Sequence, residues 1–373
     1  MKNKFFEIAF MHSLKGIPMV APNPPVGAVL VKDGKAICAS HHKAYGKAHA
    51  EVNVIQEFKK KFPGISLSDL DMYVTLEPCC TQGKTEPCTD LILNSGINNI
   101  YIAHKDANNV NSRGAKVLMQ NGLNVKFLEK NTDIFKKINL SLQPFIKWHL
   151  HKLPYVTLKA GITLDGKLAT ADKKSKWITQ EDARLNSSKI RNLHDAVLIG
   201  KTTFIEDNPS LKFKNINSQQ KQIVLCDDLN FSDDLKLLKS KRLVFFVGNK
   251  ASGKRVLKLS NLGHEVYVSK SELFSAEALF KALYDLKIQS IFVEGGARVH
   301  GFFYDSFLQN SLFVDRLLIY YAPFLMGNNE SVSIAQGTGV SDLSTVKKLK
   351  EYTLKAFSRD FCLDGYFNLY PDK

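Results

Sequence analysis

No apolar run in the 373-residue sequence approaches the roughly 20 residues that a membrane helix needs, so no membrane-embedded part is expected. The first ten residues mix lysine and phenylalanine with Glu7, and no small-residue cleavage site follows, which argues against a secretory leader. Cysteine is scarce, at six residues, and no two form a C-x2-C pair. Thiols that are not exported belong in the reducing cytoplasm, where metal binding or catalysis outranks disulfide formation. A G-x-G-x-x-G run is also missing, so no Rossmann fingerprint is claimed. Despite a formal charge of +15 there is no basic tail. The excess is +7 over residues 1–150 and +8 over the rest, and the longest basic run is Lys59-Lys60-Lys61. An excess spread this evenly fits a solvated surface, or attraction of small phosphorylated substrates, better than a nucleic-acid-binding face.

What is present is the composition of an ordinary globular protein, 44% hydrophobic and 23% charged. The chain is too long for one ordinary core, and two domains are expected. In the first half, Phe6, Phe10 and Leu14 recur at helical spacing between a capping Asn3 and a terminating Gly16. Pro18 and Pro22-Asn23-Pro24-Pro25 force an extended loop. Val26–Val31 and Lys35–Ala39 read as a hairpin turned by Asp33-Gly34. A helix from His49 to Phe62 stops at Pro63-Gly64, a strand covers Met72–Leu76, and Cys88 opens a helix ended by Gly96. Strands at Ile100–Ala103 and Val125–Leu128 flank a helix that starts near Gly114. Alternating strands and helices predict an α/β layered domain.

The chemistry concentrates between His49 and Cys88. His49-Ala50-Glu51 opens a helix, Cys79 follows a buried strand, and Cys88 comes nine residues later. One His and two Cys are the usual protein complement of a catalytic zinc that keeps its fourth position for water. A structural zinc would normally show four ligands in tight pairs. Unpaired amides at a helix start favour a thiolate, and Glu51, offset from the ligands, can shuttle protons for that water. Pro22-Asn23-Pro24, Val26-Gly27, His42, His49-Ala50-Glu51 and Thr75-Leu76-Glu77-Pro78-Cys79 through Thr85 and Pro87-Cys88 resemble a zinc nucleoside-type deaminase. The long Cys spacing resembles the riboflavin-biosynthesis branch of that family. The resemblance implies zinc on His49, Cys79 and Cys88, Glu51 as proton shuttle, and Asn23 and His42 near the substrate. Thr81 and Glu86 stand where that branch usually has His and Pro; neither is a ligand position.

The domain boundary is expected around Lys147–Leu153, with His149 and His151 as linker residues. A strand at Tyr155–Lys159 leads into Ala160-Gly161-Ile162-Thr163-Leu164-Asp165-Gly166-Lys167. That run is either a site of close ligand approach or a simple hairpin. A helix over about Glu181–Leu193 carries Arg184 and Arg191, and Asp195–Gly200 is a buried strand. Further strands are expected at Gln222–Leu225, Leu243–Val247 and Glu265–Val268, with a helix over Ser275–Leu286. In Ile291-Phe292-Val293-Glu294-Gly295-Gly296-Ala297 an apolar strand delivers Glu294, and two glycines open a helix over Arg298–Leu308. That arrangement is either an anion site or only tight packing. Strands are also expected at Val314–Ala322 and Tyr366–Tyr370.

The pieces L-D-G, S-x-W-I-T, D-A-V-L-I-G with T-T, D-x-P-x-L and V-E-G-G resemble the reductase domain of the same riboflavin-pathway family. That resemblance implies a dihydrofolate-reductase-like α/β domain using NADPH, after a cytidine-deaminase-like α/β/α domain. Gly161, Trp177, Thr203, Asp207, Gly296, Ala297 and Arg298 would contact NADPH. Ser175, Arg191, Leu211, Lys214 and Glu294 would contact substrate, Arg191 being suited to a phosphate. Lys214 stands where Arg is frequent, and Asn208 replaces a usual Asp. The expected enzyme is bifunctional, with a zinc deaminase over 1–147 and an NADPH-dependent reductase over 154–373. It would act on small phosphorylated pyrimidines, with no nucleic acid or membrane partner; homo-oligomerisation is compatible with the sequence. The rival expectation is a nucleic-acid or nucleoside zinc deaminase with an appended domain.

Overall fold

The computed structural model describes residues 3–82, 86–108, 113–211, 220–240 and 243–371. The chain divides into two compact units, one of Met1–Lys152 with Tyr370–Lys373 and the other of Leu153–Leu369. Among the described residues no helix is long and apolar enough to cross a membrane.

The first unit begins with α1 (Asn3–Ser13) and a short 3-10 turn at Leu14–Gly16. β1 (Gly27–Lys32) and β2 (Lys35–His41) form the expected hairpin, and Asp33 and Gly34 both take positive φ, 48° and 70°, as its two-residue turn requires. α2 (Ala50–Lys61), β3 (Asp71–Leu76), α3 (Cys88–Ser95), β4 (Asn99–His104), α4 (Gly114–Gln120), β5 (Asn124–Phe127) and α5 (Asp133–His151) complete it. The sheet order is β2-β1-β3-β4-β5, antiparallel through β3 and parallel from β3 to β5. The runs Gly27–Val31 and Met72–Leu76 are buried at every residue, so both sheet faces are covered by helices.

Two sequence expectations are corrected at the end of this unit. The supposed linker Lys147–Leu153 is for the most part the last turn of the 19-residue α5, and His149 and His151 belong to that helix. Pro144 inside α5 is a local helix breaker, but burial of Phe135, Ile138, Leu142, Phe145, Ile146 and Trp148 outweighs the lost backbone bond. Tyr370, expected in a terminal strand, instead exchanges two hydrogen bonds with Gln143: its amide donates to Gln143 Oε1 at 2.7 Å, and Gln143 Nε2 donates to its carbonyl at 3.0 Å.

The second unit has β6 (Tyr155–Thr163), β7 (Lys167–Ala169), α6 (Glu181–Arg191), β8 (Ala196–Gly200), β9 (Lys221–Cys226), β10 (Leu243–Val247), α7 (Gly253–Asn261), β11 (Glu265–Val268), α8 (Ala276–Asp285), β12 (Ser290–Val293), α9 (Ala297–Gln309), β13 (Arg316–Ala322), β14 (Val332–Ser333), β15 (Glu351–Phe357) and β16 (Asp360–Tyr366). Nine strands form one sheet in the order β11-β10-β9-β8-β12-β6-β13-β16-β15. It is parallel from β11 to β13, with an antiparallel β16-β15 edge. Two apolar clusters, one around Phe246, Phe280 and Phe303 and the other around Phe204, Phe245 and Tyr320, form its core. The last strand is Asp360–Tyr366, not Tyr366–Tyr370, because its register is set by pairing with both β13 and β15. The simple hairpin alternative at Asp165-Gly166 is also excluded, since β7 pairs with β14. Asp165 instead caps the 326–327 turn, accepting the amides of Met326 at 3.0 Å and Gly327 at 2.8 Å.

Candidate active sites

In the first unit, His49 is the N-cap of α2, Cys79 follows β3, and Cys88 is the first residue of α3. The sheet thus delivers one sulfur between two helix starts. Nδ1 of His49 lies 3.2 Å from Cys88 Sγ and 3.5 Å from Cys79 Sγ, and the three ligand atoms all lie within 4.8 Å of one another. A tetrahedron with metal–ligand bonds of about 2.0–2.3 Å has edges close to these separations. Hydrogen bonds from Cys88 and His49 outweigh burial and hold the Cys79 thiol down at about 4. Cys88, hydrogen-bonded to Cys79 and buried, is pushed up. One imidazole and two thiols converging on one spot are a soft donor set that fits Zn2+.

Glu51, in the first turn of α2, is buried beside this cluster; burial pushes its carboxyl up to about 7, and it hydrogen-bonds Cys88. The His42 ring packs edge-on against His49 with centroids 5.2 Å apart. Its Nδ1 donates to the Ala48 carbonyl at 3.0 Å, so its Nε2 accepts from Asn23 Nδ2 at 3.1 Å, and burial lowers its pKa. All six residues expected at the deaminase site thus come together. Thr81 is half-buried and Glu86 exposed, while Thr85 lies outside the described residues.

A seventh residue was not anticipated. Glu77 is buried behind Cys79, and its carboxylate accepts the amides of Asp106 at 3.2 Å and Ala115 at 2.8 Å. Close by, a Cβ at Gly114 would stand 1.8 Å from the Pro78 carbonyl oxygen. These contacts fix the segment that carries Cys79. A carboxylate directly after an apolar strand was the available signal.

In the second unit, Glu294 follows β12 and meets two cations. Arg191 Nη1 donates to its Oε2 at 2.9 Å, and Lys159 Nζ lies 3.6 Å from Oε1. Burial alone would raise the Glu294 pKa, but Lys159 and Arg191 together hold it below the usual carboxylate range. Arg191 Nη2 also donates to Ser188 Oγ at 3.3 Å, and its Nε is buried without a partner. The guanidinium is therefore largely committed within the protein. Lys159, the one cation in the buried Tyr155–Ile162 run, was legible as an anomaly but not anticipated as a site residue.

The two glycines after Glu294 differ. A Cβ at Gly295 would stand 2.4 Å from Val299, so that glycine serves packing; one at Gly296 would meet nothing nearer than Thr203 Oγ1 at 3.9 Å. Gly296, Ala297 and Arg298 thus form an open helix start facing Thr203, with no side-chain cap, the kind of cradle that accepts a dinucleotide phosphate. Gly161 lies against Thr179, where a Cβ would approach to 3.2 Å. Trp177 is 70% exposed, with the Arg184 guanidinium 4.4 Å from its ring centroid, and Ser175 lies on the same exposed stretch. Asp207 pairs with Lys176 at 3.3 Å. Asn208 takes φ 39°, a left-handed conformation that Asn tolerates well, and its Oδ1 accepts the Lys236 amide at 2.8 Å. Leu211 is buried, and Lys214 lies outside the described residues.

Residues 1–104 match the cytidine and deoxycytidylate deaminase zinc-binding region, and residues 154–363 match the RibD C-terminal domain. The chain is 35% identical over 358 residues to the riboflavin biosynthesis protein RibD of Bacillus amyloliquefaciens, covering 94% of this chain and 92% of that protein. It is equally 35% identical to RibD of Aquifex aeolicus, over 88% of this chain and 89% of that protein. Among solved structures, it is similar to the diaminohydroxyphosphoribosylaminopyrimidine deaminase/5-amino-6-(5-phosphoribosylamino)uracil reductase of Thermotoga maritima. That match has 29% identity and a TM-score of 0.82 over 97% of each chain. Acinetobacter baumannii RibD matches with 25% identity and a TM-score of 0.81, over 97% of this chain and 98% of that one. The zinc-fitting cluster, the reductase cradle and similarity along nearly the whole chain agree: this protein belongs to the RibD family, the bifunctional zinc deaminases and NADPH-dependent reductases of riboflavin biosynthesis.

Proposed function

We propose that residues 1–147 deaminate 2,5-diamino-6-ribosylamino-4(3H)-pyrimidinone 5′-phosphate and that residues 154–373 reduce the ribosyl chain of the product to ribityl phosphate. The observation that carries the first step is the convergence of His49, Cys79 and Cys88 within 4.8 Å beside the buried Glu51. The two activities named for the Thermotoga maritima relative support the pair of steps.

Zinc held by the three ligands supplies the Lewis acidity that brings a water's pKa near neutrality. Glu51 takes the proton from the attacking water and hands it to the departing amine as the ring carbon–nitrogen bond breaks. Asn23, with its amide nitrogen on His42, keeps its amide oxygen for a ring N–H. In the reductase, NADPH supplies the hydride, and the protein's task is to orient the two partners. Gly161, Trp177, Thr203, Asp207, Gly296, Ala297 and Arg298 hold the cofactor. Ser175, Arg191, Leu211, Lys214 and Glu294 contact the substrate, with Lys159 and Arg191 holding the Glu294 carboxylate ionised. The enzyme works in the cytoplasm on small molecules, without nucleic acid or membrane, and homo-oligomeric assembly is compatible with sites built from one chain.

Metal analysis combined with a two-step assay tests this assignment. Stoichiometric zinc, ammonia release without NADPH, and ribityl product only with NADPH are expected. Ammonia release that survives complete loss of zinc would exclude the deaminase mechanism.

A further inference from the structure

Arg191 closes α6 and Lys159 sits on β6, yet both reach the Glu294 carboxylate. The spacing between a helix end and a strand therefore sets where the three charges stand. A helix end is poorly secured by itself, because its last four carbonyls have no partner within the helix. Here partners are supplied from beyond it. The His194 amide donates to the Arg191 carbonyl at 3.1 Å, and the buried Gln220 donates from Nε2 to the Asn192 carbonyl at 3.1 Å.

The His194 side chain adds a link that crosses to the sheet. Its ring is buried against Phe292, with centroids 5.0 Å apart. Nδ1 lies 3.0 Å from the Ile190 carbonyl, which can only accept, so that nitrogen carries a proton and donates. Burial pushes the pKa of the ring down to about 3, so the ring is neutral and its Nε2 is an acceptor. Thr157 Oγ1 lies 2.9 Å from Nε2 and donates to it. Successive side chains of a strand alternate between its faces, so Thr157 and Lys159 share one face of β6. The contacts close into a ring that runs from Arg191 through Glu294, Lys159, Thr157 and His194 back to the end of α6.

We propose that His194 is a positioning residue of the reductase, clamping the end of α6 to β6 through Thr157 so that Arg191 and Lys159 stand at a fixed separation across Glu294. Without the clamp the end of α6 can shift, and even a small shift misplaces a bound substrate. A neutral ring suits the task, because a charged one would add a third cation to the pair that holds Glu294 ionised. The proposal rests on the reading of Arg191 and Glu294 as substrate contacts and adds the residue that holds them in place.

Steady-state reduction by the full-length protein tests it, with KM measured separately for the deaminated pyrimidine phosphate and for NADPH. Thr157→Val removes the hydroxyl at almost constant shape, and His194→Asn keeps a donor for Ile190 but falls short of Thr157. Each is expected to raise the pyrimidine KM about tenfold, the worth of one buried hydrogen bond, and to leave that of NADPH within about twofold. The double variant should be no worse than either single one, since all three lose the same contact. His194→Gln, whose Oε1 can accept from Thr157, and Thr157→Ser should recover most of the loss. A purely structural defect would instead reduce the active fraction, lowering the apparent kcat with both KM values unchanged. That result, an equal rise in both KM values, additive losses in the double variant, or no recovery in Thr157→Ser would each overturn the proposal. Arg191→Ala separates the clamp from the reading beneath it. An unchanged pyrimidine KM in that variant would remove Arg191 from the substrate site. A raised one, beside unchanged values in Thr157→Val and His194→Asn, would overturn the clamp alone.

Discussion

Arg191 Nη1 donates to Glu294 Oε2 at 2.9 Å, joining the last residue of α6 to the residue that follows β12. The pair is mostly buried, with side-chain exposures of 16% and 15%, so removing one partner strands a charge and costs about 3–5 kcal/mol. Lys159 on the other carboxylate oxygen reduces that cost for Arg191→Ala, because Glu294 keeps a counter-charge.

The pH dependence follows from the sign of the shift. The folded pKa of Glu294 lies below the ordinary value of 4.5, so its ionisation stabilises the fold above that value. This contribution is lost as pH falls through the lower, folded pKa. Urea unfolding of wild type and Glu294→Gln from pH 3 to pH 7 should give a stability gap that is flat above about pH 5 and closes on acidification. A gap that widens on acidification would contradict the depressed pKa.

Glu51→Gln should lower deamination by at least about 10²–10⁴-fold, the usual worth of a positioned proton shuttle. Zinc content and NADPH-dependent reduction should stay at wild-type levels, because Glu51 is not a ligand and belongs to the first unit. Deamination within tenfold of wild type, measured by ammonia release, would remove Glu51 from proton transfer.

Glu77→Ala leaves the buried amides of Asp106 and Ala115 without their acceptor. Each buried, unsatisfied donor costs about 1–3 kcal/mol. Denaturant unfolding should show a loss of this size, together with weaker zinc retention under a chelator, since the same segment carries Cys79. Unchanged unfolding would mean that water replaces the carboxylate.

Gly295→Ala and Gly296→Ala should separate packing from binding. A Cβ at Gly295 collides with Val299, so that variant should lose stability. One at Gly296 has room in the protein but occupies the cradle, so that variant should keep its thermal midpoint and bind NADP+ more weakly. Differential scanning fluorimetry and calorimetric titration of the two variants provide the comparison.

The sequence by itself determined much of this protein. The His49-Ala50-Glu51 triplet, the spacing of Cys79 and Cys88, and the Val293-Glu294-Gly295-Gly296 run are local patterns. The elements around them follow from local physics too: apolar runs bounded by Asp33-Gly34, Pro63-Gly64 or Gly96 have few alternatives to strand, turn and helix end. Only the tertiary structure decided what depends on partners remote in sequence. α5 forms across Pro144 because its apolar face is buried, which outweighs the local rule against it. β16 ends at Tyr366 because two neighbouring strands set its register. The same holds for charge. Nothing within a few residues of Glu77 or Lys159 reveals a partner. Their roles rest on contacts with Ala115 and Glu294, 38 and 135 positions away, that exist only once the sheets have assembled.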